Sequence, residues 1–121
     1  MTTQEVAARY YELACQSNWN EIHETFHDED IVSREPEQGV PAGIETVTRG
    51  KAAVKAKTDR HRAMIETMHS RYTSEPLVAG NFFTIVLKRD VTYKGRPRTN
   101  SEEIAVIEVK DGKIVSETFF Y

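Results

Sequence analysis

Glu102-Glu103-Ile104-Ala105-Val106-Ile107-Glu108-Val109-Lys110-Asp111-Gly112-Lys113-Ile114-Val115-Ser116-Glu117-Thr118-Phe119-Phe120-Tyr121 closes the chain, and its reading decides the fold. Two runs, Glu102 to Lys110 and Lys113 to Tyr121, meet at Asp111-Gly112. Both positions of a two-residue hairpin turn favour φ > 0, which Asp-Gly supplies, so the runs form an antiparallel hairpin. Upstream, Met68 to Val78 and Phe82 to Tyr93 flank Ala79-Gly80-Asn81, whose Gly-Asn pair suits another tight hairpin. Lys94-Gly95-Arg96-Pro97 is the turn between the two hairpins. The second half of the chain is a four-strand antiparallel meander.

The first half has a different period. Val6, Tyr10 and Leu13 recur at i, i+4 and i+7 with Ala7, Tyr11 and Ala14 beside them, giving one wide apolar helix face. Thr2 and Glu5 stand at capping-box spacing ahead of it. Asn18 and Glu21 open a second helix, whose narrow stripe is Trp19, Ile22 and Phe26. Ile31 to Glu35 reads as a short strand ending at Pro36. Residues 36–49 hold Pro36, Gly39, Pro41 and Gly43 and read as a long loop, a kind of segment that often carries function. A third helix follows Gly50 through Ala52, Val54, Ala56, His61, Met64 and Ile65. Its basic residues Lys51, Lys55, Lys57, Arg60 and Arg62 read as a solvated outer face. Helices grouped before strands define an α+β class in the order ααβαββββ, one domain over residues 1–121. Long strands with helices on one face should curl into a cone that three helices partly close, and such a cone suits a small molecule.

A chain of 121 residues with 39% apolar residues builds one core and no second domain. A net charge of −3 argues against a general nucleic-acid binder. Lys88, Arg89, Lys94, Arg96 and Arg98 gather about one turn, but only Tyr93 offers a stacking aromatic among them. No apolar run approaches the roughly 18 residues of a membrane span. The start Met1-Thr2-Thr3-Gln4-Glu5 lacks a signal-peptide pattern. The single cysteine, Cys15, reads as a small buried residue in a cytoplasmic protein.

Val6-Ala7-Ala8-Arg9-Tyr10-Tyr11, Asn18-Trp19-Asn20, Phe26-His27-Asp28-Glu29-Asp30, Arg49-Gly50-Lys51-Ala52-Ala53-Val54 and Val109-Lys110-Asp111-Gly112-Lys113-Ile114-Val115 resemble, in order and spacing, the nuclear transport factor 2-like superfamily. Within it the chain is most similar to the SnoaL-like proteins. The resemblance covers essentially the whole chain. It implies a curved sheet forming a cone with three helices, often dimerising through the outer sheet face. Members include isomerases, cyclases, dehydratases and binding modules, so it leaves the activity open. In the related ketosteroid isomerases a carboxylate base ends the first strand, a tyrosine lies on helix one and a protonated acid stands on a later strand. Tyr10 falls at the tyrosine. Glu35-Pro36 resembles the acid-proline pair after a one-residue insertion. Ala105 stands where the second acid belongs, with Glu103 two residues earlier on the same face, so steroid isomerisation is not carried over.

Abstracting a proton beside a carbonyl calls for a carboxylate whose pKa an apolar pocket raises, and Glu35 is the candidate base. Its alternative is a surface glutamate beside a loop. Tyr10 is a donor to a developing oxyanion or a core residue. Glu103, Glu117 and Tyr121 share a strand parity that, by the resemblance, faces inward. Glu103 or Glu117 would then be an auxiliary acid with Arg89 as partner, unless a bulge turns Asp90 inward instead. His61 and His69 are pocket acid–base groups or structural histidines. His23-Glu24-Thr25-Phe26-His27 matches the H-E-x-x-H zinc pattern, but such a string arises by chance in about one of a hundred shuffled chains. With Trp19, Ile22 and Phe26 buried, Glu24 points away from any cleft.

Two functions follow. One is acid–base isomerisation, cyclisation or dehydration of a small hydrophobic or carbonyl-containing ligand, needing neither cofactor nor metal. The other is a non-catalytic ligand-binding or dimerisation module. By the resemblance the protein is a homodimer.

Overall fold

A computed structural model describes residues 1–121. Helix α1 (Thr3–Cys15) is followed by α2 (Trp19–Phe26), strand β1 (His27–Arg34), a 3-10 segment (Glu37–Ala42), β2 (Val47–Arg49) and α3 (Lys51–Ala63). Strands β3 (Ile65–Thr73), β4 (Leu77–Ala79), β5 (Phe82–Tyr93), β6 (Thr99–Lys110) and β7 (Lys113–Phe120) complete the chain. The sheet runs β2-β1-β7-β6-β5-β3, with β4 also on β5. Every pairing is antiparallel except β1 with β7, which is parallel. The meander β3-β5-β6-β7 is therefore as the hairpin signals require, and the sheet is curved and unclosed, in the α+β class.

Both helix starts are capped as their spacings require. Thr2 Oγ1 accepts from the Glu5 N–H at 3.1 Å while Glu5 Oε1 accepts from the Thr2 N–H at 3.0 Å. Asn18 Oδ1 accepts from the Glu21 N–H at 3.3 Å. Such caps contribute about 1 kcal/mol each. The α1 face of Val6, Leu13 and Ala14 and the α2 stripe of Ile22 and Phe26 pack onto Phe83, Ile85, Ala105, Ile107 and Ile114. Each large side chain fully removed from water stabilises by roughly 1.5–3 kcal/mol.

Several boundaries differ from expectation. Helix α3 ends at Ala63, so Met64 and Ile65 do not belong to it; Ile65 already begins β3. Only Val54 of α3 is buried, and the helix packs against β1, β2 and α2. The expected Met68 to Val78 strand is broken at Ser74-Glu75-Pro76, where proline has no N–H for the ladder. Ser74 Oγ instead accepts from the Val86 N–H at 2.7 Å. Residues 36–49 are not plain loop but carry the 3-10 segment and β2. Strand β1 begins at His27, directly after α2. Cys15 is exposed, not buried, because it lies one position past the buried Leu13-Ala14 ridge.

Candidate functional site

Along each inward strand face the residue type changes from apolar to charged. On β5, Phe83, Ile85 and Leu87 give way to Arg89; on β6, Val109, Ile107 and Ala105 give way to Glu103. On β1, Ile31 is followed by Ser33 and then Glu35, just past the strand; on β7, Ile114 is followed by Glu117. A register shift between β6 and β7 near Glu108/Val109 sets that parity on β7. Parallel pairing then puts Ser33 directly beside Glu117.

Glu35 and Glu103 each keep only 12% of their side-chain exposure, so both face inward rather than solvent. The Glu35 N–H donates to the Thr46 carbonyl at 2.9 Å, which fixes its backbone. Its Oε1 lies 3.8 Å from Lys57 Nζ, and its Oε2 is buried without a hydrogen-bond partner. Burial pushes the carboxyl up to about 7; Lys57 pulls the other way, and the charges of Glu103 and Glu117 add to the rise. Burial also lifts Glu117 to about 7, against Lys57 and a hydrogen bond from Ser33. Lys57 Nζ donates to Ser33 Oγ at 2.6 Å and sits 5.4 Å from the Phe119 ring centre. One ammonium thus serves two carboxyls, one of them through a hydroxyl.

Arg89 Nη2 donates to Glu103 Oε1 at 3.1 Å. Tyr10 is buried edge-on to Phe83, with ring centres 5.3 Å apart. Burial, with the charges of Glu117 and Glu103, raises its phenol far above the ordinary value and keeps it a proton donor. His61 Nε2 lies 2.7 Å from the Tyr93 hydroxyl. Burial, with Arg89 and Arg71 nearby, lowers this imidazole to about 4, so it is neutral at pH 7. The backbone carbonyl of Tyr121 accepts from Gln38 Nε2 at 2.8 Å, and its hydroxyl reaches Gly39, where a Cβ would stand 2.5 Å from it. Glycine there lets the 3-10 segment close over the chain end. The Tyr121 phenol is raised to about 12 by burial and by Glu35 and Glu103.

The structure thus gathers Glu35, Tyr10, Glu103, Glu117, Tyr121, Arg89 and His61. Two candidates lie elsewhere. Asp90 does not turn inward: the irregularities between β3 and β5 occur within Ile65 to Ser70, leaving the inward parity to Arg89. Its carboxylate takes two hydrogen bonds from Arg98, at 2.9 and 2.7 Å. His69 is exposed, its Nε2 2.8 Å from Thr92 Oγ1, and does not line the cone. Lys57 corrects another reading, since it points inward rather than forming solvated surface. Its spacing carried the signal: it stands three residues after Val54 and four before His61. Ser33 had no comparable signal before its pairing with β7 was known.

The H-E-x-x-H histidines are both buried, with their Nδ1 atoms 2.9 Å apart, and Glu24 is exposed. No three His, Cys, Asp or Glu side chains converge as metal ligands. The basic turn is largely neutralised, Lys88 pairing with Glu102, Arg89 with Glu103 and Arg98 with Asp90. No helix is long and apolar enough to cross a membrane.

A curved sheet whose charged mouth lies beneath helices defines a cone-shaped small-molecule pocket protein. The chain belongs to the SnoaL-like domain family, whose model matches residues 1–121. It is similar to a Mesorhizobium loti protein provisionally described as a SnoaL-like polyketide cyclase, at 32% identity and TM-score 0.91, with 100% of both chains covered. TerC, crystallised with polyporic acid, is 17% identical at TM-score 0.78, with 98% of this chain and 90% of that one covered. A Catenulispora acidiphila protein with a ketosteroid isomerase-like fold, solved in complex with trimethylamine, is 20% identical at TM-score 0.72, covering 100% and 87%. No functionally curated protein matches.

Proposed function

We propose that the protein is an acid–base enzyme that moves a proton on a small carbonyl-containing molecule held in the cone. Glu35 is the base, Tyr10 donates to the developing oxyanion, and Glu103 or Glu117 is an auxiliary acid. The observation that carries this reading is the Glu35 carboxyl: one oxygen faces a lysine, and the other is buried and unpaired. A base must keep a lone pair free and titrate near the working pH, and a carboxyl brought to about 7 by burial does both. Tyr10, raised far above Glu35, still holds its proton at the pH where Glu35 loses its own.

The test is deuterium exchange at the carbon next to the carbonyl, followed by NMR with pyruvate and acetylacetone. Catalysed exchange that Glu35→Gln abolishes supports the assignment; exchange unchanged in that variant removes it. A purely binding role has one feature in its favour: Ala105 is buried and apolar where the related isomerases place an acid.

We also propose a homodimer, formed through the outer sheet face, in a cytoplasmic setting. Ile104 and Phe120 are cross-strand neighbours, 46% and 54% exposed, with Phe82 also exposed on an adjacent strand. Adjacent exposed apolar residues of this kind mark association surfaces. Sedimentation at twice the 13.8 kDa chain mass is expected, and a monomer would overturn it.

A further inference from the structure

Lys57 and Arg89, the two cations beside the pocket acids, both have carboxylate partners. Arg71, on the neighbouring β3, pairs with none. Its Nε is buried without any hydrogen-bond partner, and its guanidinium carbon lies 5.6 Å from the centre of the Trp19 ring. Arg89 and Arg62 bring further positive charge toward it. A guanidinium half withdrawn from water, with its Nε fully buried beside other cations, is costly unless an anion meets it. No acid of this chain does so.

The surroundings suit an organic anion. Arg71 lines a hollow of about 300 Å³ together with Tyr11, Ala14, Cys15, Ser17 and Tyr72. Aromatic and aliphatic walls around one planar fork of donors match a flat body carrying a carboxylate, which accepts two parallel N–H bonds. Arg71 stands directly opposite Arg89 in the β3–β5 ladder, so both side chains project from the sheet face that carries the proposed base, although no other residue of the hollow belongs to that site.

We propose that Arg71 is an anion-binding residue. Its guanidinium, against the Trp19 ring, takes the carboxylate of a small organic acid, which makes the substrate a carbonyl-containing carboxylate. The assignment rests on the reading of the cone as a substrate pocket but not on the identity of the base.

Trp19 is the only tryptophan, so its indole N–H resonance reports on this place alone. Benzoate should shift it saturably, and benzamide, of the same shape without the charge, should not. Arg71→Gln should weaken benzoate at least about tenfold, the loss expected for a charge-assisted bidentate contact, and Glu24→Gln, at an exposed position outside the site, should change it less than about twofold. The amide spectrum of each variant shows that it folds, and the benzoate–benzamide contrast needs no variant. An equal response to benzamide, no response to benzoate, or unchanged affinity in Arg71→Gln overturns the proposal. Phosphate binding more tightly than benzoate does so too, by making the site one for inorganic anions. Loss of the Glu35 effect on exchange with the Arg71 result intact removes only the base.

Discussion

Two buried pairs of titrating side chains, His23 with His27 and Glu35 with Glu117, have opposite relations to their surroundings. The Thr58 hydroxyl donates to the Val54 carbonyl at 3.3 Å, so its oxygen accepts from His23 Nε2–H at 3.1 Å. His23 Nδ1 is then bare and accepts from His27 Nδ1–H at 2.9 Å. That chain of donors and acceptors ends on a backbone carbonyl of this protein, and both rings are held neutral. Burial lowers His23 to about 4 and His27 to about 3, with help from Lys55 and Lys51 on the first and from His23 and Lys51 on the second. The glutamate pair is left open. Ser33 and Lys57 serve one side of it, and Glu35 Oε2 faces inward with nothing bound. A closed network specifies structure, whereas an open one in a cone leaves capacity for a ligand's proton.

This difference can be broken experimentally. Glu35→Gln should lower catalysed exchange by about two to four orders of magnitude, the usual share of a general base, with little loss of stability. His23→Ala should do the reverse. It leaves His27 and Thr58 unpaired around a cavity and should cost about 2–3 kcal/mol in urea unfolding, without a direct effect on exchange. Equal behaviour of these two variants would erase the distinction.

The pH dependence sharpens it. The histidines have folded pKa values below the ordinary 6.5, so the unfolded chain takes up protons first. Their contribution is present above pH 6.5 and falls as the pH drops toward 4 and then 3. The glutamates have folded values above the ordinary 4.5. Their contribution is present below pH 4.5 and is lost as the pH rises through 7. Between 4.5 and 6.5 the two slopes oppose; because His61 is also lowered to about 4, three histidines face two glutamates, and unfolding free energy should rise only gently with pH. In Glu35→Gln/Glu117→Gln the histidine slope should stand alone, with stability rising steadily through that interval. A still smaller effect is expected for Glu117→Gln by itself: a gain of about 1 kcal/mol at pH 8 and none at pH 4, read from urea midpoints.

The hairpin at Asp111-Gly112 and both helix caps were legible because each is a local signal with its own backbone mechanism. The inward parity of Glu103 and Glu117 was legible through the family resemblance; alternation carries Glu103 with Ala105 and Ile107, but on β7 a register shift separates Ile114 from Glu117. What escaped was set by distant partners. Ser33 gains its role from a parallel neighbour 84 positions away, and Arg71 from its place over Trp19. Lys57 escaped for another reason, since a lysine on a mostly polar helix looks solvated until the helix is known to bury only Val54. Asp90 and Arg89 could be separated only by where the β3–β5 irregularities fall.

The central claim, that the cone mouth holds a carboxyl ready to exchange protons near neutrality, is tested most directly by ¹³C NMR titration of the glutamate side chains. Of the 14 glutamates, two should titrate near pH 7, and one of those two titrations should be missing in Glu35→Gln. Glutamates that all titrate in the ordinary range near 4.5 would contradict the account.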